Sequence, residues 1–175
     1  MNEIENRLKG GNAAFLEKIS ANPQLNSKIK QLKNGQNPYA LVITCSDSRV
    51  IPEEIFSTSL GELFVIRTAG NVVNEGELAS VEYGLEHLHI KFCLVLAHTH
   101  CGAVHASIHK EHGKYLGCIL DNISRNIEDE KDEYKASIKN ALKQVEYLKE
   151  KFSNFDGAIK AAIYDIEDGS VKFID

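Results

Sequence analysis

The sequence predicts an α/β fold: a mainly parallel central sheet flanked by helices, with an N-terminal helical arm and a short C-terminal antiparallel strand. Short apolar runs alternate along the chain with segments of helical periodicity. The first of these runs, Tyr39–Thr44, is apolar on both faces, as is typical of strands in a parallel sheet covered by helices. A turn at Asp168–Gly169 separates the last two runs, which indicates a closing hairpin.

The predicted elements follow in chain order. The strands are Tyr39–Thr44, Leu63–Ile66, Lys91–Ala97, Ala158–Ile163 and Val171–Ile174. Apolar residues at helical spacing predict helices over 75–88 and 138–152, and shorter helices are expected after Ile51 and Cys101. The acid-rich stretch 111–136 has weak periodicity, and no motif is assigned to it.

Residues 1–30 are the predicted helical arm, because their apolar residues recur roughly at helical spacing. Gly10–Gly11 predicts a break or kink within the arm, since glycine weakens a helix interior. Residues 31–175 are the predicted α/β core. A length of 175 residues favours a single domain over 1–175.

Composition and charge restrict the class of function. The net charge of −5, without a run rich in arginine or lysine, argues against nucleic-acid binding. No segment approaches the ~18 consecutive apolar residues of a membrane helix. The polar N-terminus predicts no signal peptide, and four cysteines in such a chain favour reduced thiols. The expected location is the cytoplasm.

Two stretches rich in metal-ligating side chains follow predicted strands. Cys45 comes directly after the first strand, and His98 and Cys101 come after the third. Because the carboxyl ends of parallel strands meet at one edge of a sheet, these side chains are expected to lie together. Thiolates and imidazoles are the ligands that zinc prefers, and catalytic zinc sites use three of them. The sequence predicts one Zn²⁺ per chain at this edge.

The remaining cysteines and histidines have simpler interpretations. Cys93 and Cys118 are interpreted as small buried hydrophobic residues, which is how most cysteines are placed. A loose tract of histidines follows the third strand and is interpreted as solvated or lying on a helix face, with proton shuttling as the minor alternative. The members of this tract are His100, His105, His109 and His112.

Asp47 and Arg49 stand two residues apart, a spacing at which arginine can hold a carboxylate by two hydrogen bonds. An exposed ion pair of little energetic weight is the ordinary alternative. Beside a zinc ion, the carboxylate of Asp47 would either orient a metal-bound water or occupy the fourth position of the metal itself. The sequence is compatible with both arrangements.

The motifs resemble those of the β-class carbonic anhydrases. The resemblance rests on C-S-D-S-R at 45–49 and H-T-H-C-G-A at 98–103. It extends to F-V-I-R and A-G-N within 64–71 and to S-V-E-Y-G at 80–84. Two departures are Thr68, where asparagine is common in the family, and Ala97, where glycine is usual.

The resemblance implies a role for each matching residue. The implied zinc ligands are Cys45, His98 and Cys101, and the implied catalytic pair beside the metal is Asp47 and Arg49. The residues implied to line the substrate pocket are Gln36, Phe64, Ala69 and Tyr83. In the family, part of this lining comes from a second subunit, so the resemblance implies a homodimer or homotetramer that shares pocket residues across the dimer.

The implied function is the reversible hydration of carbon dioxide to bicarbonate and a proton, by attack of zinc-bound hydroxide. Carbonic anhydrases with three histidine ligands are the standard example of zinc acidifying a water molecule. Two thiolates would cancel the formal charge of the metal and acidify the water less. Activity is therefore expected to rise toward alkaline pH.

Other functions are compatible with the same residues. A structural zinc site would need a fourth protein ligand. A bicarbonate sensor would bind zinc without turnover, and a related hydrolase would act on another small linear substrate such as carbon disulfide. A cysteine nucleophile with His98 as its base is the weakest alternative, because zinc would sequester both groups.

Overall fold

A computed structural model of the chain describes residues 2–174 and divides them into two compact units, with the boundary between Gln36 and Asn37. The N-terminal unit contains two helices, and the second unit contains the sheet and the remaining helices. The assignment of one domain to residues 1–175 stays a prediction. No helix within the described residues has the length and apolar character of a membrane span.

The N-terminal unit consists of α1 (Glu3–Ala21) and α2 (Pro23–Leu32). The predicted break at Gly10–Gly11 is wrong, because α1 runs through both glycines. Each glycine costs about 1 kcal/mol in a helix interior, and the side chain of Asn2 caps the first turn by accepting from the N–H of Ile4. The chain turns instead at Asn22, whose side chain caps α2.

The second unit is a five-stranded sheet with helices around it. Its strands are β1 (Ala40–Cys45), β2 (Leu63–Thr68), β3 (Phe92–His98), β4 (Ala158–Tyr164) and β5 (Val171–Ile174). Its helices are α3 (Pro52–Ile55), α4 (Glu75–Glu82), α5 (Gly102–Ile108), α6 (Gly117–Ile127) and α7 (Glu133–Lys151). The strand order is β2-β1-β3-β4-β5, parallel except for β5, which confirms the predicted fold class.

Two helical segments differ from the prediction. The helix expected over 75–88 ends as α4 at Glu82, and a π-helical turn follows at Tyr83–His87. Gly84 lies in this turn, where a Cβ atom would come within 2.6 Å of Leu41, so glycine permits a close approach to the sheet. The unassigned stretch 111–136 contains α6, whose buried residues face the core although acidic and polar neighbours obscure their spacing.

Three apolar clusters position the carboxyl edge of the sheet. On one face, residues of β1 and β3 such as Leu41 and Val95 pack against α4 and α7, with Leu148 fully buried. On the other face, Val42 and Leu94 pack with residues from α3 and its neighbourhood. The third cluster lies beyond the strand ends and contains two of the predicted metal ligands, together with α5 and α6 residues.

Candidate metal centre

The structure brings the three predicted zinc ligands together at the carboxyl ends of β1 and β3. Cys45 is the last residue of β1, His98 is the last residue of β3, and Cys101 directly precedes α5. Their ligand atoms lie within 4.8 Å of one another. The chain leaves β1 toward one side of the sheet and β3 toward the other, which opens a crevice between the two strand ends.

One nitrogen of His98 is oriented toward the ligand cluster by the backbone. Its Nδ1 lies 2.8 Å from the carbonyl oxygen of Thr99, so Nδ1–H donates there and Nε2 keeps its lone pair. Nε2 is buried and has no hydrogen-bond partner within residues 2–174. A buried polar atom without a partner costs free energy, and a metal ion would satisfy it.

The two thiols form a coupled acid pair. Their sulfur atoms are 4.0 Å apart, and both residues are at most 5% exposed. The hydrogen bond from the Cys101 thiol, followed by the influence of His98, holds the pKa of Cys45 well below its ordinary value. The same shared proton, together with burial, raises the pKa of Cys101. A divalent cation would replace this proton and hold both sulfurs as thiolates.

The donor set fits zinc. Two sulfurs and one imidazole nitrogen are borderline-soft ligands, and three protein ligands leave a fourth tetrahedral position for a reactant. A cation at the centre of the cluster would give Nε2 of His98 a partner. It would also replace the proton that Cys45 and Cys101 share.

Asp47 and Arg49 form the two-point contact that their spacing predicts. Arg49 donates from Nε to Oδ1 of Asp47 at 2.9 Å and from Nη2 to Oδ2 at 2.7 Å. The backbone N–H of Arg49 also donates to Oδ1 at 3.0 Å. These bonds hold the pKa of the Asp47 carboxyl well below its usual range. Arg49 further donates to the carbonyl oxygen of His100, which joins the two sequence motifs.

Arg67 holds the loop after β1 and was not assigned a role from the sequence. Its Nε donates to the carbonyl oxygen of Cys45 at 3.2 Å, and its Nη2 donates to that of Asp47 at 2.7 Å. Arg67 is the penultimate residue of β2, where Thr44 of β1 is its register partner. A basic residue at the end of a buried strand was the available sequence signal.

A tight turn at Ala69–Asn71 supports the sulfur of Cys45. The N–H of Gly70 donates to Sγ of Cys45 at 3.3 Å. Gly70 has a φ of +65°, and a Cβ atom there would lie 2.7 Å from Cδ1 of Ile123. The hydroxyl of Thr68, the departure from the family pattern, donates to the carbonyl oxygen of Val72 and closes the turn.

The predicted pocket residues do not all lie at this cluster. Ala69 lies in the turn beside it, whereas the rings of Phe64 and Tyr83 pack together with their centroids 6.1 Å apart. Phe64 precedes Thr68, the register partner of Cys45, by four residues, or about 13 Å at roughly 3.3 Å per residue. Gln36 is exposed and belongs to the N-terminal unit.

The other cysteines and the side chains of the histidine tract are not part of the ligand cluster. Cys93 is buried as predicted, and burial raises its pKa to about 12. The prediction of burial for Cys118 is wrong, because this residue lies on the exposed first turn of α6 and its thiol donates to the carbonyl oxygen of Tyr115. The members of the histidine tract are exposed at positions 100, 105, 109 and 112.

Comparison with known proteins identifies carbonic anhydrases as relatives of this chain. The family model described as carbonic anhydrase matches residues 40–171. A carbonic anhydrase of Synechococcus elongatus is 34% identical over 178 residues, which cover 85% of this chain and 64% of that protein. Carbonic anhydrase 2 of Mycobacterium tuberculosis is 41% identical over 105 residues, covering 58% of this chain and 49% of that protein. The chain thus spans less than two thirds of the length of these relatives.

A solved structure gives the same result over nearly the whole chain. The beta-carbonic anhydrase CcaA is 31% identical, with a TM-score of 0.82 over 99% of this chain and 96% of that one. The family match, the shared fold and the clustered cysteine and histidine side chains agree. The chain belongs to the β-carbonic anhydrase family.

Proposed function

We propose that this protein catalyses the reversible hydration of carbon dioxide to bicarbonate and a proton. The observation that carries the proposal is the buried Cys45–His98–Cys101 cluster, with the fixed carboxylate of Asp47 two residues from one ligand. Family membership supports the same reaction.

Zinc is the proposed cofactor, one ion per chain, held by Cys45, His98 and Cys101. When bound, zinc would supply a Lewis acid that makes water a nucleophile near neutral pH. The chain contributes the preorganisation: Thr99 fixes the tautomer of His98, and Arg67 fixes the backbone of the loop that follows Cys45. These contacts hold the ligand atoms in place before the metal arrives.

Asp47 is proposed to accept a hydrogen bond from a hydroxyl group of the reactant. Its two oxygens have about four acceptor directions, and three are used by Arg49. The remaining direction suffices to orient one hydroxyl. The two-point contact with Arg49 engages both oxygens of Asp47, and this arrangement favours the orienting role over direct binding of the metal. Arg49 therefore acts by holding Asp47.

The alternatives receive less support from the geometry. A structural zinc site needs four protein ligands, and the cluster found among residues 2–174 has three. A bicarbonate sensor and a hydrolase of a linear substrate such as carbon disulfide would use the same three ligands. Turnover of carbon dioxide by the metal-loaded protein distinguishes these from the proposed enzyme.

We also propose that the enzyme is a homodimer, or a tetramer formed from two dimers. Helix α1 has no buried residue over Glu3–Ala21, and its apolar side chains Ile4, Leu8 and Leu16 are more than half exposed. The second unit has an apolar cavity of about 260 Å³ on its sheet face, lined by residues such as Phe92 and Phe173. A second copy would cover such surfaces.

The dimer would also complete the substrate pocket. Because Phe64 lies about 13 Å along the sheet from the cluster of its own chain and Tyr83 packs against it, both would line the pocket of the partner's site. Gln36 and Ala69 are the other proposed pocket residues, and Gln36 would donate a hydrogen bond to a substrate oxygen. The cytoplasmic location stays a prediction from the cysteine usage.

The hydration activity is tested by stopped-flow measurement across pH on protein of known zinc content. We expect activity that rises toward alkaline pH, because two thiolates donate charge to the cation and reduce its acidity. Asp47→Asn should keep the zinc and lower kcat/KM by roughly 100-fold or more. Full zinc occupancy without hydration at any pH would contradict the proposal and favour a sensor or another substrate.

The metal ligands are tested by Cys45→Ser. We expect elemental analysis to find one zinc per chain in the wild type and almost none in this variant, because the cluster loses a thiolate. The matched control is Cys93→Ala, which removes another buried thiol and should retain full zinc. If Cys45→Ser lost zinc but retained full activity, a cysteine nucleophile such as Cys101 would replace the metal as the catalytic group.

The contact between Asp47 and Arg49 predicts a dependence of stability on pH. Since the pKa of Asp47 is depressed in the folded state, its contribution is present above the unfolded pKa of about 3.9 and is lost as pH falls below it. Arg49→Met should raise the pKa of Asp47 in the folded protein, so the free energy of unfolding should fall less steeply as the pH is lowered. Urea unfolding between about pH 6 and pH 2, with chelator in both samples, measures it. Parallel curves for the two proteins would contradict the contact.

The oligomer is tested by Leu8→Glu, which places a charge on the apolar side of α1. We expect sedimentation to show a dimer or tetramer for the wild type and a smaller species for the variant, with lower activity at unchanged zinc content. Asn6→Glu adds the same charge at an exposed polar position on the opposite face of α1 and is the control. A monomeric, fully active wild type would refute the shared pocket.

A further inference from the structure

A network of side-chain amides lies between α6 and α7, with Asn140 and Gln144 buried and Asn122 and Asn126 half-buried. Asn122 and Asn126 are one turn apart on α6, and Asn140 and Gln144 are one turn apart on α7. Asn126 donates to Asn122 and to Asn140, and Gln144 donates to Asn122 at 2.8 Å. Buried amides are costly unless they are paired, so the position of each depends on the others.

This network ends on the turn that contains Gly70. Asn140, which is fully buried, donates from Nδ2 to the carbonyl oxygen of Gly70 at 2.9 Å. Gln144, which is 2% exposed, accepts at Oε1 from the N–H of Val73 at 3.1 Å. Two side chains of α7 therefore hold the two sides of one short turn.

The Gly70 turn also contacts a proposed metal ligand, because the N–H of Gly70 donates to Sγ of Cys45. An N–H directed at a thiolate neutralises part of its charge and fixes its direction. The turn has few ways to shift, since Gly70 sits closely against Ile123 and Thr68 closes it from the other side. The direction of this N–H thus depends on where α7 holds the backbone.

We infer that Asn140, supported by Gln144, is a positioning residue for the metal centre, acting through the Gly70 turn on the sulfur of Cys45. The chain of contacts is Asn140 to Gly70 and Gly70 to Cys45, each a hydrogen bond. The inference rests on the proposed metal site. It concerns how tightly that site binds its ion, and it holds whether or not carbon dioxide is the substrate.

The test uses Asn140→Ala in the full-length protein. Removing the amide should weaken zinc binding by roughly 10–100-fold, the usual effect of losing a contact behind a ligand. Competition with a chromophoric zinc chelator measures the affinity. With cobalt(II) in place of zinc, the thiolate-to-metal charge-transfer band should move to lower energy, because the sulfur of Cys45 loses a well-directed hydrogen bond.

A destabilised core could also weaken metal binding, and Leu148→Ala is the control for this. Leu148 is fully buried on the same helix, in the apolar cluster that packs against one face of the sheet. We expect Leu148→Ala to lower the melting temperature at least as much as Asn140→Ala, while zinc affinity and the cobalt band stay unchanged. Equal weakening by both variants would overturn the inference.

If Asn140→Ala fails to fold, a second variant tests the positioning role. Gln144→Met keeps the side-chain length and removes only the polar contacts, so it should weaken zinc binding in the same direction. Affinity and cobalt spectra equal to the wild type in the folded variants would refute the positioning role. Zinc binding without hydration would overturn the proposed function alone, whereas a wild type that binds neither metal would overturn both.

Discussion

The structure depends on burying two thiols and an imidazole at a single edge of a parallel sheet. Such groups are stable in the interior only when charge and hydrogen bonds are satisfied around them. Each ligand is therefore held by a backbone partner or a neighbouring side chain: His98 by Thr99, Cys45 by Gly70 and Cys101 by Cys45. The sheet supplies the position, and these contacts supply the direction of each lone pair.

The loop after β1 links this cluster to its surroundings by charge. Two guanidinium groups act on it: Arg49 holds the side chain of Asp47, and Arg67 holds the backbone of the same residue. Because Arg49 also reaches the carbonyl oxygen of His100, the two strand ends are joined outside the metal cluster as well as within it. Hydrogen bonds from the folded core therefore fix much of the geometry of the site.

The sequence was informative where one residue type has one strong physical preference. Short, mainly apolar runs located all five strands, and the spacing of Asp47 and Arg49 predicted their contact. The sequence was least informative where tertiary packing determines which residues of a helix are buried. The helix α6 went unassigned because acidic and polar residues flank its buried positions, and Asn140 and Gln144 lie on the buried side of α7, where a pattern search expects apolar residues. Their role depends on a partner turn far away in the chain.

The near-complete burial of the three ligands has a kinetic consequence. Cys45, His98 and Cys101 are each at most 5% exposed, and residues of α5 and α6 pack around the two cysteines. If these residues hold zinc as proposed, a ligand atom can leave the ion only when this region opens locally, so slow opening would slow the loss of the ion. The metal acquired during folding would persist through later changes in supply, so the loaded fraction would record the metal available when the chain was made.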